Sequence, residues 1–134
     1  MIKWLGGKWS IVLMIFAGCG SPEIQPVDIF PEDNCSHCRM MISDQAFAAE
    51  IITAEEDVFK FDDIGCMERF RKQLAGTNIV ATYVKDYDFK TWIPYNRAFI
   101  IRANIKTPMG SGQIAFCDSV RAKNLSEQRL EEKQ

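Results

Sequence analysis

Seven consecutive residues, Cys35-Ser36-His37-Cys38-Arg39-Met40-Met41, bring together two thiols, an imidazole and two thioethers. Sulfur is a soft, polarisable donor, and thiolates mixed with thioethers suit Cu(I) better than any hard cation. A packed core has little use for this mixture at one spot. Cys35-x-x-Cys38 by itself fits four chemistries: half of a zinc site, a thioredoxin-like dithiol, a local disulfide, or a soft-metal loop. A zinc site wants a second close pair, but the downstream cysteines, Cys66 and Cys117, are single and far apart. A redox dithiol sits at a strand-to-helix junction, whereas a proline-rich stretch precedes this one. Met40 and Met41 favour the soft-metal loop, since neither zinc nor dithiol exchange needs thioethers.

Two more sulfur-bearing stretches follow, Asp62-Asp63-Ile64-Gly65-Cys66-Met67 and Thr107-Pro108-Met109-Gly110-Ser111-Gly112. Met67 falls at core spacing with Ile64, Phe70 and Leu74 and reads as packing. Cys66 beside it reads as a buried thiol rather than a ligand. Met109 lies in a Gly/Pro turn, off any core period, and reads as a thioether presented by a loop. Cu(I) needs only two to four soft donors, and Cys35, Cys38, Met40, Met41, His37 and Met109 are the candidates. Met41 alternates with Met40, so one of the two is expected at the site and the other toward the core. Cys117, at the mouth of the last helix, is a possible auxiliary ligand.

The elements around these donors can be read in order. Residues 1–18 have the form of an export signal, with Lys3 and Lys8 ahead of an apolar run at 9–16 that is about half of the ~20 residues a spanning helix needs. Phe16-Ala17-Gly18-Cys19 resembles a lipobox, which makes Cys19 the expected lipidated N-terminus and accounts for the odd fifth cysteine. Residues 19–34, with Pro22, Pro26 and Pro31, read as an extended linker holding the domain off the lipid. The domain is expected over 35–134, in halves of about 35–86 and 87–134.

Strands are expected at 45–54, 58–61, 78–85, 98–105 and 113–116. Asp62 or Asp63 is positioned to cap a first helix that Gly76 closes, and Asp118 or Ser119 to cap a last helix reaching about 130. Phe61-Asp62-Asp63 is echoed by Phe116-Cys117-Asp118, and Ala46-Phe47 by Ala98-Phe99. Each half then reads as a hairpin followed by a helix, the second hairpin loop about three residues longer and carrying Met109. The fold class is α+β, two small ββα units packed together, with the Cys35–Met41 loop near the Met109 loop.

The chain has 134 residues, 47% hydrophobic and 25% charged, with a formal net charge of -2. That balance fits a packed globule, and the absence of a Lys/Arg patch gives no footprint for nucleic acid. No Ser-His-Asp set, phosphate loop or pocketed carboxylate pair is legible, so no enzyme is expected.

Cys35-x-x-Cys38-x-Met40 with Ile42, then Phe61-Asp62-Asp63, Trp92-Ile93, Thr107-Pro108-Met109-Gly110-Ser111-Gly112 and Ala115-Phe116, after a lipobox, resembles the NosL family. The resemblance spans nearly the whole mature chain. It implies a periplasm-side lipoprotein that binds Cu(I) and helps deliver it to the copper–sulfur cluster of nitrous oxide reductase. The expected partners are a copper donor, the apo reductase and, through the anchor, a membrane. By position, Cys38 is the stronger cysteine, Met40 the loop methionine and Met109 the Pro-Met-Gly methionine. Arg39 stands where many members have glycine, and the chain stops without their usual Gly-Gly and final strand. The alternatives are a lipid-anchored thiol–disulfide oxidoreductase using Cys35 and Cys38, and a structural zinc lipoprotein.

Overall fold

A computed structural model describes residues 23–131; the signal, the lipobox and residues 132–134 lie outside the described residues. Strand β1 (Ala49–Thr53), buried at every position, is the middle of the main sheet. β2 (Val58–Phe61) lies on one side, and β3 (Ile79–Lys85) followed by β4 (Trp92–Pro94) on the other, giving the antiparallel order β2-β1-β3-β4. A second antiparallel pair is made by β5 (Phe99–Arg102) and β6 (Gln113–Phe116). Helix α1 (Ile64–Arg71) follows β2, and α2 (Ser119–Glu131) follows β6. Two ββα units are thus present, joined by β3 and β4.

Two expected strands are shorter than the apolar runs that suggested them. At 45–54, the Asp44 side chain accepts the Ala46 amide and winds Gln45–Phe47 into a 3-10 turn, so pairing starts at Ala49. A matching 3-10 turn, Tyr95–Arg97, precedes β5, which ends at Arg102. Ile52 pairs with Val58 and Arg102 with Gln113, so the second hairpin loop is five residues longer than the first, not three. Gly76, at φ +89°, ends the helical segment as expected, since only glycine takes that conformation freely.

The main core gathers Ile51, Phe61, Ile64, Met67 and Val84 between the sheet and α1. Met67 is fully buried, so it packs as its spacing indicated. Phe70 closes the core with its ring 5.0 Å from Phe59 and 5.3 Å from Phe61. A smaller cluster of Phe47, Ile114, Phe116 and Ala122 lies between the second strand pair and α2.

The proline-rich stretch expected as a free linker is instead a strap on the main sheet from residue 24 onward. The Tyr83 hydroxyl donates to the Ile24 carbonyl. The Val27 amide donates to Glu50 Oε1 at 2.9 Å, and Lys60 Nζ to the Asp28 carbonyl at 2.6 Å. Ile29 is buried, and its carbonyl accepts from Gln45 Nε2 at 3.2 Å. Prolines at 26 and 31 suit such a strap, because an extended segment held by side chains needs few amides of its own.

Fixing the strap leaves Glu50 fully buried, with Oε2 lacking a partner. Burial pushes its carboxyl up to about 7, against the pull of the Val27 amide and of Lys60 and Lys85. The folded state therefore holds the proton more tightly than the unfolded chain. Stability is highest below pH ~4.5 on this account and falls as pH rises through about 7. Glu50→Gln is expected to raise stability at pH 8 by on the order of 1–3 kcal/mol and to leave it nearly unchanged at pH 5. Urea unfolding at both pH values checks this; equal effects at the two would remove the titration account.

Candidate metal centre

The Cys35 loop is a tight turn held by its own backbone. The Cys35 amide donates to the Met40 carbonyl at 2.8 Å and the Arg39 amide to the Cys35 carbonyl at 2.9 Å. Arg39 takes φ +67°, a conformation that glycine accepts more readily than any residue with a side chain. The Ser36 amide donates to the Lys60 carbonyl at 2.8 Å and ties the turn to β2. This places Cys35 in the core, fully buried, and Cys38 half-buried above it.

The other side of the centre comes from the β2–α1 junction. Asp63, not Asp62, is the helix cap: its Oδ1 accepts the Gly65 amide at 2.7 Å. Asp62 is released from capping and points elsewhere, with Cys66 one helical turn further on. The Sγ atoms of Cys35, Cys38 and Cys66 and a carboxylate oxygen of Asp62 all lie within 4.8 Å of one another. Cys66 and Asp62, which the sequence suggested for packing and capping, thus join the candidate cluster.

The electrostatics are those of an apolar pocket. Cys38 Sγ donates to Asp62 Oδ2 at 3.3 Å, while Asp62 Oδ1 is buried without a partner. Burial pushes the Cys38 thiol up to about 11, and Cys35 and Asp62 beside it push the same way. Burial also raises Cys66 well above the usual thiol range, with the Arg69 guanidinium, 3.7 Å from its sulfur, working in the opposite direction. Both shifts favour the protonated thiols, and a soft metal bound among them would displace those protons. An orphaned buried carboxylate oxygen among three thiols is costly without a cation and well matched to one.

The remaining expected ligands fall on the rim. Met40 and Met41 are 57% and 60% exposed, so neither turns into the core, contrary to the alternation argument. His37 is half-buried and is not one of the four mutually close donors. Met109 is 38% exposed on the β5–β6 loop and borders a groove with Gly65, Glu68, Arg69 and Ser111. Its amide donates to Asp63 Oδ2 at 3.1 Å, which pins that loop beside the start of α1. Burial alone would raise Asp63, but hydrogen bonds from Ser111, Thr107, Met109 and Gly65 outweigh it and hold its carboxyl below the usual range. Gly65 permits this approach: a Cβ there would lie 2.6 Å from Ser111 Cβ. Cys117 lies in the other half, exposed, with its sulfur 3.0 Å from Arg121 Nη2, and is not one of the four.

The fold is similar to the crystal structure of the copper chaperone NosL from Shewanella denitrificans, with a TM-score of 0.65 at 20% identity, covering 78% of this chain and 87% of that one. No curated protein matches the chain in sequence. The NosL family model matches residues 26–129, from the strap into α2, and takes in both donor loops and the β2–α1 junction. The chain belongs to the NosL family.

Proposed function

We propose that this chain is a lipid-anchored, periplasm-facing carrier that holds one Cu(I) and passes it on for assembly of the copper–sulfur centre of nitrous oxide reductase. Family membership and the thiol cluster support copper binding. The observation that carries the reading is the arrangement of donors by depth. Three thiols and the unpaired Asp62 oxygen lie inside, while the thioethers of Met40, Met41 and Met109 stand exposed on the surrounding loops. Thiolates hold Cu(I) strongly; neutral thioethers bind it weakly and do not form disulfides. Exposed thioethers beside a buried thiol site offer a client protein a path for ligand exchange, with Met109 and Met40 as the donors the metal meets on leaving. The anchor is Cys19, and the partners are a copper donor and the apo reductase.

A second reading is favoured by one observation. Asp62 makes the set three sulfurs and an oxygen, four donors of types that zinc also accepts. Native mass spectrometry of the full chain, loaded anaerobically with both metals present, separates the two. One retained Cu(I), transferred to apo reductase on mixing, is the expected result, with the chain recovered in the membrane fraction unless Cys19 is replaced by Ser. Retention of zinc in preference to Cu(I), with no transfer, would overturn the carrier reading.

A further inference from the structure

The two ββα units share far more than element order. The Asp86 amide donates to the Thr91 carbonyl at 2.8 Å and the Lys90 amide to the Asp86 carbonyl at 2.8 Å, repeating the two bonds that close the Cys35 turn. Lys90 takes φ +57°, as Arg39 takes +67°. The Tyr87 amide donates to the Ala115 carbonyl at 2.9 Å, as Ser36 does to Lys60. Lys85 pairs with Trp92 as Asn34 bridges Met41. Ala49 faces Phe61 and Phe99 faces Phe116. Asp118 Oδ1 accepts the Val120 amide at 2.7 Å, the same cap and length as Asp63 on Gly65.

These matches fix a residue-by-residue correspondence. Cys35 answers to Asp86, Cys38 to Phe89, Asp62 to Cys117 and Cys66 to Arg121. The second set is also gathered, and around a cation. The Arg121 guanidinium donates to Asp86 Oδ2 at 2.8 Å and lies 3.0 Å from Cys117 Sγ, with its carbon 4.4 Å from the Phe89 ring centre. Asp88 and Asp118 complete its ion pairs at 2.8 and 3.1 Å. Every position that answers to a donor of the metal centre therefore either touches this guanidinium or carries it.

We propose that the fold contains two corresponding cation sites, a buried one left open for a metal ion and a more exposed one occupied by its own arginine, so that Arg121 sets the capacity of the chain at one ion. This rests on the reading of the first pocket as the metal centre. Removing the tethered cation and supplying thiols should open the second. Phe89→Cys with Arg121→Cys gives it three thiols and one carboxylate, the donor set of the first with the carboxylate moved to the turn.

The test uses the full chain, Cu(I) as the probe, and native mass spectrometry against a competing chelator. The double variant is expected to retain two Cu(I) where the parent retains one. In a background of Cys35→Ser, Cys38→Ser and Cys66→Ser it is expected to retain one where that background retains none. Arg121→Lys, which keeps a tethered cation, should leave the parent count unchanged. A folded double variant that gains no ion in either background overturns the proposal. If the double variant is unfolded without metal, recovery of its far-ultraviolet circular dichroism with added Cu(I) supports the proposal, and failure to recover overturns it. A parent that retains no Cu(I) refutes the first-pocket reading, while the gain or lack of gain in the double variant still decides the second pocket.

Discussion

Cys66→Ser is expected to lose Cu(I) as completely as Cys38→Ser, while Cys117→Ser leaves binding intact. Cys66 is fully buried, and its sulfur lies within 4.8 Å of the two loop thiols and the Asp62 oxygen. A hydroxyl of similar shape keeps the packing but replaces a soft donor with a hard one. Loss of a direct ligand should exceed the 10–100-fold that outer-sphere partners cost, so a drop on the order of 100-fold or more is expected. Chelator competition under anaerobic conditions measures it. Binding within about threefold of the parent would place Cys66 outside the site and return the weight to Cys38 with Met109 and Met40.

Asp86→Ala is expected to be among the most destabilising single changes in the domain while copper stoichiometry stays at one. Asp86 is fully buried, and its two oxygens accept the Asp88, Phe89 and Cys117 amides as well as both Arg121 Nη groups. Burial by itself would raise this carboxyl; Arg121 and the amides outweigh it and hold it well below the usual carboxylate range. Its contribution is therefore present above pH ~4 and is lost as pH falls through the lowered value. Alanine removes the acceptor from several amides and a guanidinium at once, a change worth about 3–5 kcal/mol. Urea unfolding at pH 7 is the measurement, and a cost below about 1 kcal/mol would show that the network stabilises little.

The legible parts of this chain were those set by short-range pattern. Alternation in Val58–Phe61, the 3.6-residue spacing of Ile64, Met67 and Phe70, and the presence of a capping residue at the start of each helix all act within a few residues, so a sequence displays them directly. The Cys35 and Cys38 pair was visible because both donors lie in one turn. Cys66 was not, because a buried cysteine in a helix looks the same whether it packs or ligates. What distinguishes them is the approach of the Cys35 turn, and that depends on the Ser36 amide reaching Lys60 across the hairpin. Asp62 and Asp63 were interchangeable as caps until geometry gave the role to Asp63 alone. The strap was read as a tether because its prolines and acids resemble a linker, and the side chains that hold it down, Gln45, Glu50, Lys60 and Tyr83, lie further along the chain.

If Cys19 carries a lipid, that strap also limits how far the domain can travel. With Cys19 as the proposed lipid attachment and the carbonyl of Ile24 already held by Tyr83, five peptide steps separate anchor from fold. Fully stretched, such a leash reaches roughly 18 Å. On that proposal a cargo protein moored this closely would work like a berth rather than a ferry, and a donor and a recipient would both have to come to the bilayer to meet it. Lengthening residues 20–22 with a flexible insert would then widen the zone in which the ion can be handed over without altering a single ligand.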